Sequence, residues 1–152
     1  MLFPEVEGKN LEYKKFKLPI DLEGDLNIII IPFQRWHQNL VDSWTEYLVS
    51  VSIDFPKVKF YEVPSLNKDY KLIRVMIDGG MRAGILNKSV RERTITIYID
   101  KSKFKKALNI PNEDTIYLFL LNKFGEILWR SSGQYSESKA KELNIYLKEN
   151  SN

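Results

Sequence analysis

The one side chain in this 152-residue sequence whose ordinary titration falls near neutral pH is His37, the only histidine. It stands in Gln34-Arg35-Trp36-His37, where a β-branched run, residues 26–33 (LNIIIIPF), passes into an amphipathic stretch. At a helix N-terminus the positive end of the dipole favours the neutral imidazole, which would suit a general base or a ligand. The competing reading is a surface or capping histidine, because no acid or nucleophile partner is visible beside it. Arg35 and Trp36 belong to residue types favoured in binding hot spots, so residues 34–37 could form a polar-aromatic contact surface. Alternatively Trp36 packs beneath its own loop and Arg35 is solvated. Arg82 lies in residues 79–84 (GGMRAG), a segment with neither the spacing of a dinucleotide fingerprint nor that of a phosphate loop. That segment reads as a helix exit, with Arg82 on a loop able to face a partner. Lys101, Lys103, Lys105 and Lys106, with Arg91 and Arg93 nearby, form the densest basic stretch; it could meet an acidic surface or anionic lipid, or be a solvated face.

What is missing bounds the chemistry more sharply. The chain has no cysteine, so thiol-disulfide exchange and thiol peroxidase chemistry are excluded, because the thiolate is the reagent in both. Without thiolates, and with one histidine, neither a metal centre nor a cofactor is expected. A net charge of +3, from 23 basic and 20 acidic residues with interspersed signs, is too small an excess to suggest nucleic acid. Hydrophobic residues at 43% and charged residues at 28% place the chain with globular rather than disordered proteins, and its length suits one domain over residues 1–152. The longest apolar run, residues 28–33, is far short of the ~20 residues that cross a bilayer as a helix. Residues 1–8 (MLFPEVEG) carry no basic leader or signal-length apolar stretch, so the expectation is a cytoplasmic protein that does not span a membrane.

The pattern predicts the elements that must position these residues. A peripheral strand is expected over residues 14–18 and a central one over 26–31, apolar on both sides and therefore covered on both faces. Leu40, Val41, Trp44, Tyr47, Leu48 and Val51 recur at helical spacing, which predicts a helix over 39–52 capped at Asn39. A second strand follows over 58–63, closed by Pro64. Asn67 should cap a helix with Tyr70, Ile73, Met76 and Ile77 on its buried face and Gly79-Gly80 at its end, followed by a polar loop over 81–93. A strand at 94–99 (TITIYI), a short basic helix at 100–108, a hairpin over 115–130 turning at Asn122-Lys123-Phe124-Gly125, and a helix capped by Ser136 complete the order. Trp44, Leu48, Ile73 and Phe119 are expected in the core.

Alternation of strands and helices, ending in a hairpin and a helix, requires a mixed α/β sheet flanked by helices on both faces. That is the thioredoxin-like architecture, and the extra strand and helix between Thr94 and Leu108 sit where peroxiredoxin-type members carry an insertion. Redox members place their first cysteine just after the strand-ending aromatic, which falls here on His37 or Gln38, and their second on Leu40 or Val41. Their cis-proline position falls on Ile116 or Tyr117, and Pro111 is too early to serve.

Phe3-Pro4, the aromatic-ended strand into Trp36, Ser43-Trp44, Lys59-Phe60-Tyr61-Glu62-Val63, Met81-Arg82-Ala83-Gly84-Ile85 and Ile127-Leu128-Trp129-Arg130 with Gly133 follow one pattern. Together they resemble the mitochondrial F-type ATP synthase assembly-factor family, whose members help incorporate the proton-channel subunit and carry a thioredoxin-like domain without the catalytic pair. The resemblance implies a non-redox binding or assembly module with a protein partner, a subunit of a membrane complex, and a candidate surface of Gln34, Arg35, Trp36, His37 and Arg82. The alternative class is an enzyme or divergent non-thiol oxidoreductase-like protein in which the His37 loop acts on a small molecule. An enclosed cleft at His37 would favour the enzyme, and a filled or flat site the binder.

Overall fold

Every side chain of Leu26–Ile31 is buried. The period of two in a strand sends alternate residues to opposite faces, so Ile28 and Ile30 enter one apolar cluster and Ile29 and Ile31 another. The strand divides two cores, which is why Ile28–Ile31 is apolar without a break instead of alternating. The computed structural model describes residues 1–151. In chain order its elements are β1 (Val6–Asn10), β2 (Lys15–Leu18), β3 (Leu26–Ile31), α1 (Gln38–Asp54), β4 (Val58–Glu62), β5 (Ser65–Asn67), α2 (Arg74–Gly84), α3 (Lys88–Glu92), β6 (Ile95–Ile99), α4 (Lys101–Ala107), β7 (Tyr117–Asn122), β8 (Ile127–Ser132) and α5 (Glu137–Asn150). Two 3-10 turns, Arg35–His37 and Lys68–Ile73, lead into α1 and α2.

The central sheet has the order β4-β3-β7-β8, with β4 parallel to β3 and the β7–β8 hairpin antiparallel. Helices α1 and α5 cover one face: Val41, Trp44, Leu48 and Val51 meet Leu118, Leu120, Trp129, Leu143 and Leu147. On the other face Phe104 and Leu108, in and just after α4, join Phe119, Leu121 and side chains of a second sheet, β2-β1-β6-β5. The thioredoxin-like fold expected from the sequence is therefore present, but the expected single sheet is two. Its cause lies at Val63-Pro64. The Val63 N–H still donates to Ile30 of β3 at 2.7 Å, whereas Pro64 has no N–H to give and its carbonyl accepts from Ile97 at 3.0 Å. From there the chain pairs as β5 with β6, and one parallel bridge, Glu62 to Thr94, joins the sheets.

Several local expectations are corrected. Helix α1 begins at Gln38 directly from the 3-10 turn, so Asn39 is not its cap, and it extends to Asp54. Strand β1 carries too polar a sequence to be anticipated; Gly8 admits it, because a Cβ there would stand 2.5 Å from the Thr96 carbonyl oxygen of β6. Asn67 does cap, accepting from the Asp69 N–H, but what it opens is the 3-10 turn. Gly79-Gly80 does not end a helix: α2 runs through both to Gly84, and the expected loop over 81–93 holds the end of α2 and all of α3. Trp44, Leu48 and Phe119 are buried as expected, whereas Tyr70, Ile73 and Met76 are exposed. The apolar periodicity of α2 is real, but the helix is attached by its polar side, through Asp78. The Asp78 carboxylate is buried and accepts from the Tyr98 hydroxyl at 2.8 Å and the Thr96 hydroxyl at 3.1 Å. Among the described residues no helix is long and apolar enough to cross a membrane.

Candidate functional site

At the carboxyl end of β3 the chain turns through Pro32-Phe33-Gln34 into α1, and His37 holds that turn together. Of the surface or capping histidine expected, the structure keeps the cap and not the surface: the ring is fully buried, and Nδ1 accepts from the Phe33 N–H at 3.0 Å and the Gln34 N–H at 3.3 Å. An Nδ1 that accepts two donors places the proton of the neutral ring on Nε2, which is buried with no hydrogen-bond partner among the described residues. Burial pushes the imidazole below its ordinary value, with Glu113 and the backbone and charge of Asp114 working the other way. The lone pair a base or ligand would use is thus occupied by the backbone. Ile116, at the position where redox members carry proline, is buried in the cluster beneath α1.

The other three residues of the turn face outward. Gln34 Nε2 donates to the Glu113 carbonyl at 2.7 Å, and its Oε1 accepts from Trp36 Nε1 at 3.2 Å. Trp36 is 53% exposed, with its ring edge-on to His37 at a centroid distance of 4.5 Å. Arg35 is exposed and forms no ion pair among the described residues. Glu113 in turn is held by Lys105 at 2.7 Å and Lys101 at 2.9 Å, so two lysines of the basic stretch serve to fix the loop behind Gln34. Burial acts to raise the Glu113 carboxyl, but the two ammonium groups outweigh it and hold the group below its ordinary value.

Beside this turn lies an open groove of about 900 Å³. Pro32, Phe33, Gln34 and Arg35 form one wall, Gln38, Asp42 and Glu62 the end nearest α1, and the opposite wall is α2 and its exit, with Met76, Ile77, Gly80, Met81, Gly84 and Ile85. Sequence reasoning missed Glu62, the last residue of β4 and, with Lys59, one of its two charged side chains. Burial, and then the charge of Asp42, push its carboxyl up to about 7, against the pull of Arg93 and Gln38. Arg93 is itself lowered by burial, and its guanidinium stacks 4.4 Å over the Phe60 ring. Gln38 Nε2 donates to Asp42 Oδ1 at 2.9 Å. Among the described residues no three His, Cys, Asp or Glu side chains form a metal-holding group.

Arg82 is on helix α2, not on a loop, and its guanidinium is turned away from the groove. It donates to the Leu11 carbonyl and the Glu12 carboxylate, both at 3.1 Å, and lies 5.6 Å over the Tyr13 ring. Arg91 reaches the same carboxylate at 3.1 Å. The structure thus brings Gln34, Arg35, Trp36 and His37 together at one turn and uses Arg82 to pin the helix that forms the facing wall.

A sheet in the order β4-β3-β7-β8, with a helix leaving the central strand at this turn, defines a thioredoxin-like protein whose thiol position is filled by a histidine-locked loop. The family model described as ATP10 protein matches residues 1–149, and the chain belongs to that family of ATP synthase assembly factors. No curated protein sequence matches the chain. Solved structures with the same fold include the thioredoxin domain of a thiol-disulfide oxidoreductase from Bacteroides vulgatus, 14% identical with a TM-score of 0.62, matched over 96% of this chain and 95% of that one. Copper-bound yeast Sco1 is 13% identical, with a TM-score of 0.61 over 97% and 92%. BsSco, a member of the Sco family of cytochrome c oxidase assembly proteins, is 9% identical with a TM-score of 0.63 over 98% and 92%.

Proposed function

We propose that this protein is a non-redox holdase for a membrane-complex subunit, the proton-channel subunit of the ATP synthase, which it engages through the Gln34-Arg35-Trp36 turn and the groove beside it. The observation that carries this reading is the groove itself. It lies at the carboxyl end of the central strand, where α/β sheets present their ligands, and is walled by Phe33, Met76, Ile77, Met81 and Ile85 with Arg35 at its rim. An apolar channel with one free guanidinium suits an apolar polypeptide segment ending in a carboxylate or carbonyl, which Arg35 can bind through its planar fork. Membership of the assembly-factor family supports a protein client. His37 and Arg82 have positioning parts: the first holds the loop, the second the facing helix. The enzyme alternative is not favoured, since the lone pair on His37 is engaged.

The test is binding of the detergent-solubilised proton-channel subunit to the wild-type chain and to Arg35→Ala and Trp36→Ala. Both side chains are exposed, so the expected outcome is weakened capture with a melting temperature nearly unchanged. Undiminished capture by both variants would remove this turn from the site.

A further inference from the structure

Residues 72–86 (LIRVMIDGGMRAGIL) form an arm whose polarity is inside out. The stretch holds three charged residues, Arg74, Asp78 and Arg82, at i, i+4 and i+8, which is one face of a helix. All three are directed at the body of the protein. Arg74 pairs with Asp78 at 3.4 Å and lies 4.9 Å over the Tyr98 ring, Asp78 is bonded to Thr96 and Tyr98, and Arg82 is bonded to Glu12 and Leu11. What faces water is apolar: Leu72 is 97% exposed, Val75 and Leu86 88% each, and Met76 76%. A Cβ at Gly79, which shares a face with Val75 and does not line the groove, would meet nothing within 4 Å, so none of the described residues lies over this face there.

The charges at its edges indicate what covers it. Lys68 and Lys71 at one end and Lys88 at the other are exposed and form no ion pair among the described residues. Asp69 is the one acid between residues 68 and 88 that is not turned inward. A charge-free apolar strip bounded by lysines is the pattern of a helix lying in a membrane interface, with its apolar face at the acyl boundary and its ammonium groups among anionic headgroups. Side chains that project freely, as Leu72, Val75 and Leu86 do, fit a fluid acyl layer better than a shaped protein partner, which would need a complementary wall.

We propose that the outward face of residues 68–88 seats the protein on an anionic lipid surface. The helix is about 16 Å long, far short of a span, and lies along the surface instead of crossing it. Leu72, Val75 and Leu86 do not line the groove, so this proposal and the client reading stand or fall separately.

Flotation of the full chain with vesicles tests it, using phosphatidylcholine alone and phosphatidylcholine mixed with phosphatidylglycerol. The wild type is expected to float with the mixed vesicles and to be released by salt. Leu72→Asp and Val75→Asp should abolish flotation while circular dichroism stays unchanged. The combined Lys68→Glu, Lys71→Glu, Lys88→Glu variant should lose on the order of 100-fold in partitioning. A wild type that stays with the aqueous fraction, or variants that float as it does, overturns the proposal. So does a lipid-indifferent chain that sediments as a dimer and becomes monomeric on Leu72→Asp, since the face would then belong to a second copy.

Discussion

Replacing Glu62 by glutamine should make the protein more stable, and increasingly so as the pH rises from about 5 to 7. The carboxyl of Glu62 stands at about 7 in the folded protein against 4.5 for an ordinary glutamate, because burial and the Asp42 charge penalise its ionised form. A folded-state value raised above the unfolded one means that the folded chain holds the proton more tightly. The associated stability is therefore complete below about pH 4.5 and is lost as the pH rises through 7. At about 1.36 kcal/mol for each pH unit of that gap, the loss amounts to about 3 kcal/mol at most. Glutamine has no proton to lose. Wild type and Glu62→Gln should differ by about 1 kcal/mol or less in unfolding free energy at pH 5 and by up to about 3 kcal/mol, in favour of the variant, at pH 8. For a chain of this size that difference is about 6–12 °C in melting temperature. Urea titrations of both proteins at the two pH values read the double difference, in which every other titrating group cancels. Parallel pH profiles for the two would refute the claim that Glu62 is a penalised carboxylate in the groove wall, as would a variant less stable at pH 8, which would mean that Arg93 depends on the charge.

Three further outcomes follow from the packing. The single imidazole resonance should titrate below 6.5 in the folded protein, and His37→Ala should cost about 2–3 kcal/mol near neutral pH by leaving the Phe33 and Gln34 N–H groups without their acceptor; because the folded value is depressed, the His37 contribution is lost as the pH falls below 6.5, and the difference between wild type and variant should shrink there while the Glu62 term cancels between them. Leu48→Ala should cost about 2–5 kcal/mol in denaturant unfolding, since the side chain is 1% exposed against Trp44 and Leu118 in the cluster between α1 and the central sheet. Gly8→Ala should destabilise by about 2 kcal/mol or more in the same assay, because backbone and not a yielding side chain stands where its Cβ would go.

The elements legible in the sequence are those whose burial is set by their own side chains. The run Leu26–Ile31, the 3.6 periodicity of α1 and the Asn122 to Gly125 turn with Gly125 at φ +83° each carry a local signal that the tertiary structure leaves unchanged. The thioredoxin-like order followed from them. What the sequence hid are elements whose attachment is polar. Helix α2 presents a regular apolar stripe, which ordinarily means a buried face, but the residues that fasten it are Arg74, Asp78 and Arg82, whose partners Tyr98, Thr96 and Glu12 lie in distant segments. His37 looked solvated because its partners are backbone N–H groups, which no side-chain pattern reports. Glu62 escaped notice because a charged residue at a strand end is ordinarily an outward one, whereas here the sheet changes partners beside it at Pro64.

Steric closure of the groove tests the central claim most directly. Gly80 lines the groove wall on α2, and a Cβ there would meet no atom within 4 Å, so Gly80→Leu places a side chain at the channel wall with no clash at its Cβ. Leucine also favours the helix over glycine by about 1 kcal/mol, so the melting temperature should stay level or rise by about 2–4 °C. The measurement is capture of the solubilised proton-channel subunit by Gly80→Leu alongside the wild type, with melting curves on the same samples. A fully folded variant that no longer retains the subunit is the predicted result, and an equally stable variant that retains it as well as the wild type would contradict the account.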